Sequence, residues 1–346
     1  MNKSEKIKLG ISIGDFNGIG IEIILKTFLD KRMLDFCTPI IFGSTKLITA
    51  YKKSMNIDLP FNGVKEVGNA ILGKINIVNL WNDDIVLELG KATESSGKYA
   101  FKSLEAATNS LEKGEIDVLV TAPINKENIQ SEEFIFPGHT EYLESKLNGE
   151  SLMILMADKL RVGLITGHIP VSEISTSITP ALIKKKVAIL YKTLVQDFAI
   201  SKPKIAVLGL NPHCGDKGVI GSEDDEIIRP TIAEIQEEKK LVYGPYAADS
   251  FFGSKNYQSF DGILAMYHDQ GLAPFKTLSF GGGVNYTAGL DKIRTSPDHG
   301  TAYELAGKGE ANINSFKEAV FSAIQIFKTR EEYNSLTKNT LKKRRL

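Results

Sequence analysis

The chain of 346 residues contains five histidines, and each stands in a polar, turn-like segment rather than on an amphipathic helix. They read Pro137-Gly138-His139-Thr140, Thr166-Gly167-His168-Ile169-Pro170, Asn211-Pro212-His213-Cys214-Gly215, Tyr267-His268-Asp269-Gln270 and Pro297-Asp298-His299-Gly300-Thr301. His168, His213 and His268 each close an apolar run that reads as a strand. Parallel neighbouring strands would bring the three imidazoles together, with positions left open for substrate, as a catalytic divalent-metal site requires. Such a set suits zinc, cobalt and, less well, magnesium. The competing reading is three unrelated loop histidines facing solvent, and the residues alone leave both open. Asp269, beside His268, can orient an imidazole or complete a coordination shell. Asp249 is a second carboxylate, equally natural as the N-cap of a short helix ahead of Phe251-Phe252.

A second group of residues suits an anion. Lys276, Asn285 and Arg294 are donors, and Gly281-Gly282-Gly283 permits close backbone approach. His139 and Thr140 open a predicted helix, where free N–H groups and the dipole favour a phosphate. The alternative is that the glycines mark turns and the cations are solvated. The Gly14–Gly20 stretch invites comparison with a dinucleotide fingerprint, but its glycines fall at 14, 18 and 20, not in G-x-G-x-x-G spacing. NAD is therefore held by some other device, or not bound at all.

Short apolar runs alternate with amphipathic stretches, the pattern of an α/β chain with a mainly parallel sheet. Strands are expected at 9–13, 39–42, 75–80, 117–121, 152–156, 162–166, 204–210 and 262–267. Helices are expected at 19–29, 96–115, 140–147, 180–198, 227–239 and 315–331. Most of the unusual residues sit just past the C-terminal ends of these strands, where open α/β sheets gather ligands. Hydrophobic residues make up 42% and charged residues 24%, ordinary for a soluble enzyme. Lys plus Arg equals Asp plus Glu at 42 each, which argues against a nucleic-acid or membrane-surface footprint. The one dense basic run, 342–345, reads as a solvated tail. Cys37 and Cys214 form no CxxC pair, and no signal peptide or spanning segment is visible, so a cytoplasmic protein is expected.

Together these segments resemble the 4-hydroxythreonine-4-phosphate dehydrogenase family of vitamin B6 (pyridoxine) biosynthesis. The most specific stretches are Phe136-Pro137-Gly138-His139-Thr140-Glu141, Gly209-Leu210-Asn211-Pro212-His213 and Ala265-Met266-Tyr267-His268-Asp269-Gln270-Gly271-Leu272. Gly283-Val284-Asn285, Ile293-Arg294-Thr295-Ser296 and Asp298-His299-Gly300-Thr301-Ala302 add to them. The resemblance implies an isocitrate/isopropylmalate dehydrogenase-like fold of two α/β/α domains with a cleft between them. The first would comprise 1–125 plus 305–346, and the second, 126–304, would carry the metal ligands and the dimer interface. It implies a homodimer whose metal is shared between chains, with His168, His213 and His268 as ligands. His139, Thr140, Lys276, Asn285 and Arg294 match substrate contacts, Lys276 also acting in catalysis with Asp249 and Asp269. Asp298, His299, Gly300 and Thr301 match the loop that holds NAD.

The reaction implied is oxidation of 4-phosphooxy-L-threonine by NAD with loss of CO₂, giving 3-amino-2-oxopropyl phosphate. Gly14-Asp15-Phe16-Asn17-Gly18 departs from the family's usual first loop, as do Cys214 and Gly282 at their positions. Relatives that oxidise 4-phospho-threonate or 4-phospho-erythronate are the nearest rivals, and a metal-dependent hydrolase of a phosphorylated small molecule is a more distant one. A non-catalytic scaffold would have no use for five histidines so placed.

Overall fold

The computed structural model describes residues 6–339, so the basic run at 342–345 lies outside the described residues. In chain order the strands are β1 (Ile7–Ser12), β2 (Cys37–Gly43), β3 (Asn62–Val64), β4 (Asn76–Asn79), β5 (Val118–Thr121) and β6 (Gly149–Ala157). They continue as β7 (Leu160–Leu164), β8 (Lys204–Leu208), β9 (Leu241–Tyr246), β10 (Gly262–Ala265), β11 (Val284–Leu290) and β12 (Arg294–Pro297). The chain divides into two units. One holds the residues up to Ser151 with Gly281–Ile324, the other Leu152–Phe280 with the residues from Gln325.

In the first unit the strands run β3-β4-β2-β1-β5-β12-β11. All pairs are parallel except β11 with β12, which is antiparallel. β2 is buried at every position, as befits a parallel strand covered on both faces. The long helix Glu94–Glu112 starts at a capping box in which Thr93 and Ser96 satisfy each other's backbone N–H groups. Its Leu104, Ala107 and Leu111 pack with Ile40, Phe42 and Leu119 in the core. Tyr142 and Leu143, from the helix His139–Lys146, join that same core, which fixes where His139 and Thr140 stand.

In the second unit the order is β6-β7-β10-β8-β9, with β6 and β7 an antiparallel hairpin and the remaining pairs parallel. Val162, Leu164, Ala206, Leu208, Ile263 and Ala265 line one face of this sheet against Phe251, Leu272 and Phe275. The helix His268–Ser279 lies close on β7 and β10 because Gly271 has no side chain. A Cβ there would stand 2.9 Å from Leu164 and 3.0 Å from both Ala265 and Val162. The helix Pro180–Gln196 begins with Thr179 capping Leu182 N–H and proline in the first turn.

The division differs from the expected domain of 126–304. Residues 126–151 and 281–304 lie with the first unit, and the end of the helix Asn314–Thr337 lies with the second. The reason is non-local pairing: β12 adds to β5, and β11 adds to β12. In the second unit Arg330 makes a buried two-pronged ion pair with Asp197, at 2.7 and 2.9 Å. No helix among the described residues is long and apolar enough to cross a membrane.

Candidate active site

The second unit carries the expected metal ligands on three loops past strand ends. After β7, Thr166 holds its loop to the one after β10, its hydroxyl and its N–H both donating to Met266 O at 2.7 and 3.1 Å. This places the rings of His168 and His268 5.4 Å apart, centroid to centroid. His268 is the first residue of its helix, and its Nδ1 lies 2.7 Å from Asp269 Oδ1. A carboxylate at one ring nitrogen, leaving the other free to donate its lone pair, is the usual outer support of a ligand histidine.

His213 follows β8. The carboxylate of Asp224, fully buried, accepts the N–H groups of Leu210 (2.8 Å) and Asn211 (3.0 Å), which fastens the start of this loop. His213, Cys214, Asp216 and Lys217 then all adopt left-handed φ values of 43–55°, a run of strained residues that persists only where the surroundings hold it. Gln270 bridges the loops, accepting Met266 N–H (2.7 Å) and donating to Gly209 O (2.6 Å). His213, Asp249, Tyr267 and Gln270 thus line one cavity of about 340 Å³. Asp249 stands in the first turn of the helix Ala248–Gly253 and not at its N-cap, which is Ala247. Among the described residues no group of three or more His, Cys, Asp or Glu side chains is arranged to hold a metal ion. One chain therefore pairs His168 with His268 and places His213 in the adjoining cavity, without closing a three-imidazole cage. Imidazole donors backed by a carboxylate nevertheless suit a borderline-soft divalent ion.

The first unit carries the anion candidates. Arg294 opens β12 and is 2% exposed. Its guanidinium donates to Thr121 Oγ1 at 3.0 and 2.6 Å and to Thr287 Oγ1 at 3.1 Å. Burial pulls its pKa down to about 9 while Glu141 opposes the shift, so the group stays charged at neutral pH. His139 begins its helix after Gly138, with Nε2 buried and unpartnered. Burial first, then the nearby charges of Arg294 and Lys126, holds its pKa well below the usual histidine value. Thr140, 8% exposed, is the next residue of that first turn. Asn285 is paired across the ladder with Ser296 and shares a face of β11 with Thr287, two residues on. A buried cation, a shielded imidazole and a helix start are groups whose chemistry suits a phosphate monoester. Lys276 is exposed in the last turn of the helix His268–Ser279, in the second unit.

The loop Asp298–Thr301 follows β12. Asp298 N–H donates to Ser315 Oγ (3.1 Å), and His299 Nδ1 lies 3.0 Å from Gly300 O. His299 Nε2 is shielded and has no partner. Reading the sequence missed Asp224, Gln270 and Thr121, which hold the candidate side chains or their loops in place. Asp224 lies in an acidic run that reads as solvated surface, and Thr121 was visible only as a strand end.

Residues 35–323 match the family model described as "Pyridoxal phosphate biosynthetic protein PdxA". A 4-hydroxythreonine-4-phosphate dehydrogenase of Bacteroides thetaiotaomicron is 52% identical over 99% of this chain and 94% of its own length. A protein of Oceanobacillus iheyensis, provisionally named a D-threonate 4-phosphate dehydrogenase, is 37% identical over 94% of this chain and 100% of its own. The crystal structure of a 4-hydroxythreonine-4-phosphate dehydrogenase from Burkholderia phymatum has a TM-score of 0.75 at 33% identity, covering 93% of this chain and 99% of that one. The chain belongs to the PdxA family of pyridoxal phosphate biosynthetic enzymes.

Proposed function

We propose that this enzyme oxidises and decarboxylates 4-phosphooxy-L-threonine to 3-amino-2-oxopropyl phosphate and CO₂, using NAD and a divalent metal. The observation that carries this reading is the buried Arg294 near His139 at a helix start, a cation and an imidazole whose chemistry suits a phosphate group. Arg294, His139, Thr140 and Asn285 fix the phosphate end, and Lys276 supplies a further charge to the substrate. Remote binding of this kind orients the reacting carbon and is realised as rate. His168, His213 and His268 are the metal ligands of this proposal, completed in a homodimer; Asp269 holds His268 and Asp249 shares the cavity of His213. When bound, the metal supplies Lewis-acid polarisation of the substrate and NAD accepts a hydride. Zinc, cobalt and magnesium are the candidate ions. Asp298, His299, Gly300 and Thr301 are the proposed NAD contacts.

The test is turnover of 4-phosphooxy-L-threonine with NAD and added metal, following NADH and CO₂ together. Formation of both, abolished by chelation and restored by metal, is expected. The D-threonate 4-phosphate name of one relative favours a second reading, in which a hydroxyl replaces the amine at C2. A larger kcat/KM for 4-phospho-threonate or 4-phospho-erythronate would establish it. Release of inorganic phosphate without NADH would instead mark a hydrolase.

A further inference from the structure

The Gly14–Gly20 turn belongs to neither group of site residues, yet every residue of it is buried. Its glycines are spent on the protein's own backbone. Gly14 has φ +65° and a Cβ there would stand 2.2 Å from Pro123 O. A Cβ on Gly18 would stand 2.7 Å from Thr301 O, and one on Gly20 2.6 Å from Ile13 O. No glycine of the turn is left to approach a pyrophosphate.

The two polar side chains between them make an unusual set of contacts. Asp15 is fully buried, and its carboxylate accepts four hydrogen bonds from four chain segments. The donors are Asn17 N–H (2.9 Å), Ser96 Oγ (2.7 Å), Asn128 Nδ2 (2.7 Å) and Tyr303 OH (2.9 Å). A buried carboxylate is tolerable only when so fully satisfied. Asn17 accepts Glu88 N–H at its side-chain oxygen (2.9 Å) and Gly90 N–H at its carbonyl (2.8 Å), and donates to Thr93 Oγ1 (3.1 Å). The absent side chain of Gly18 lets Ile19 N–H donate to Thr301 O at 3.0 Å. The turn is therefore the floor on which the loop from Asp298 to Tyr303 rests. Burial and the Asp15 charge raise the Tyr303 phenol, which keeps it a donor at any working pH.

We propose that Asp15, Asn17, Gly18 and Tyr303 are positioning residues for the cofactor, holding the Asp298–Thr301 loop in its NAD-binding conformation. This rests on the reading above that the loop contacts NAD. A loop that must order itself on binding charges that entropy to ligand affinity, so a pre-seated loop binds more tightly. Loosening the seat should weaken NAD binding and leave the phosphate and metal sites alone.

The test uses the full-length, metal-loaded protein and three calorimetric titrations: NAD, inorganic phosphate and, on stripped protein, zinc. Tyr303→Phe removes one hydroxyl and keeps the ring, and is expected to weaken NAD binding about tenfold, the scale of one charge-assisted hydrogen bond. Gly18→Ala, which displaces the Thr301 carbonyl, should weaken it further. KM for NAD should rise in step while kcat changes little. Thr108→Val removes a comparable buried hydrogen bond within the helix Glu94–Glu112, to Leu104 O at 2.8 Å, and should leave NAD affinity as in the unaltered enzyme. Native NAD affinity in Tyr303→Phe, or parallel losses of phosphate and zinc binding, would overturn the proposal. Absence of NAD binding by the unaltered protein would overturn the reading it rests on as well.

Discussion

The first unit's anion site and the second unit's histidine loops are built in opposite ways. Arg294 and His139 sit in regular elements, one at the start of a central strand and the other at the start of a helix whose next turn is in the core. Their positions follow from packing, and Arg294 already has hydroxyl partners from two neighbouring strands. His213 sits instead in a run of left-handed residues fastened by one buried carboxylate. A buried cation held by hydroxyls and a strained loop poised beside a histidine pair are different constructions. On the proposed reading the first would select substrate at little conformational cost. The second holds strain that, on the proposed reading, a bound ion would offset.

That contrast predicts a graded series of effects. His213→Ala should reduce metal-dependent NADH formation to below roughly one-thousandth, since a lost ligand removes the Lewis acid and no packing compensates. Retention of full activity in chelated buffer would erase the distinction between the units. Arg294→Met comes next: kcat/KM for the phosphorylated substrate should fall about a hundredfold, as expected for loss of a charge-assisted, desolvated anion contact. Metal affinity, measured by competition with a chelator, should stay unchanged. Asp269→Asn should weaken metal binding about tenfold, the lower end for loss of a carboxylate behind a ligand histidine, with inorganic phosphate binding untouched.

The smallest effect is one of pH, and it belongs to the first unit. His139 is held well below the ordinary histidine pKa when folded, so the unfolded chain takes up its proton first as pH falls. Stability is therefore full above the unfolded value of about 6.5 and declines below it. His139→Gln should flatten this part of the acid limb in denaturant-unfolding curves taken between about pH 7 and 5. An unchanged limb would show that the imbalance of protons lies elsewhere.

Much of the architecture was legible because apolar runs declare buried strands. Eight of the strands stand where such runs predict them, among them β1, β5 and β8, and the helices at 20–29, 94–112, 139–146 and 180–196 agree within a turn. β3, β9 and the helix Thr45–Ser54 were also missed, but three of the missed elements share a cause. β11 and β12 carry Asn285, Thr287, Arg294, Thr295 and Ser296, so their apolar periodicity is interrupted by the residues that serve the site. The helix His268–Ser279 contains Gly271 and Pro274, which locally speak against a helix, yet Gly271 is what allows it to lie on β7 and β10. In each case a pairing distant in sequence overrides the local signal.

What the amino-acid sequence determined unaided was the chemistry on offer: five histidines at turns, paired cations and a first loop that is not a dinucleotide fingerprint. Its residue order also carried the family resemblance, because side chains that touch ligand tolerate little change in type. Tertiary structure alone decided which of these residues share a unit, since that depends on β12 pairing with β5 and on helices docking far along the chain. It also decided that the Gly14–Gly20 turn faces inward. Nothing in the spacing of three glycines says whether their open side meets a ligand or the carbonyls of Pro123 and Thr301.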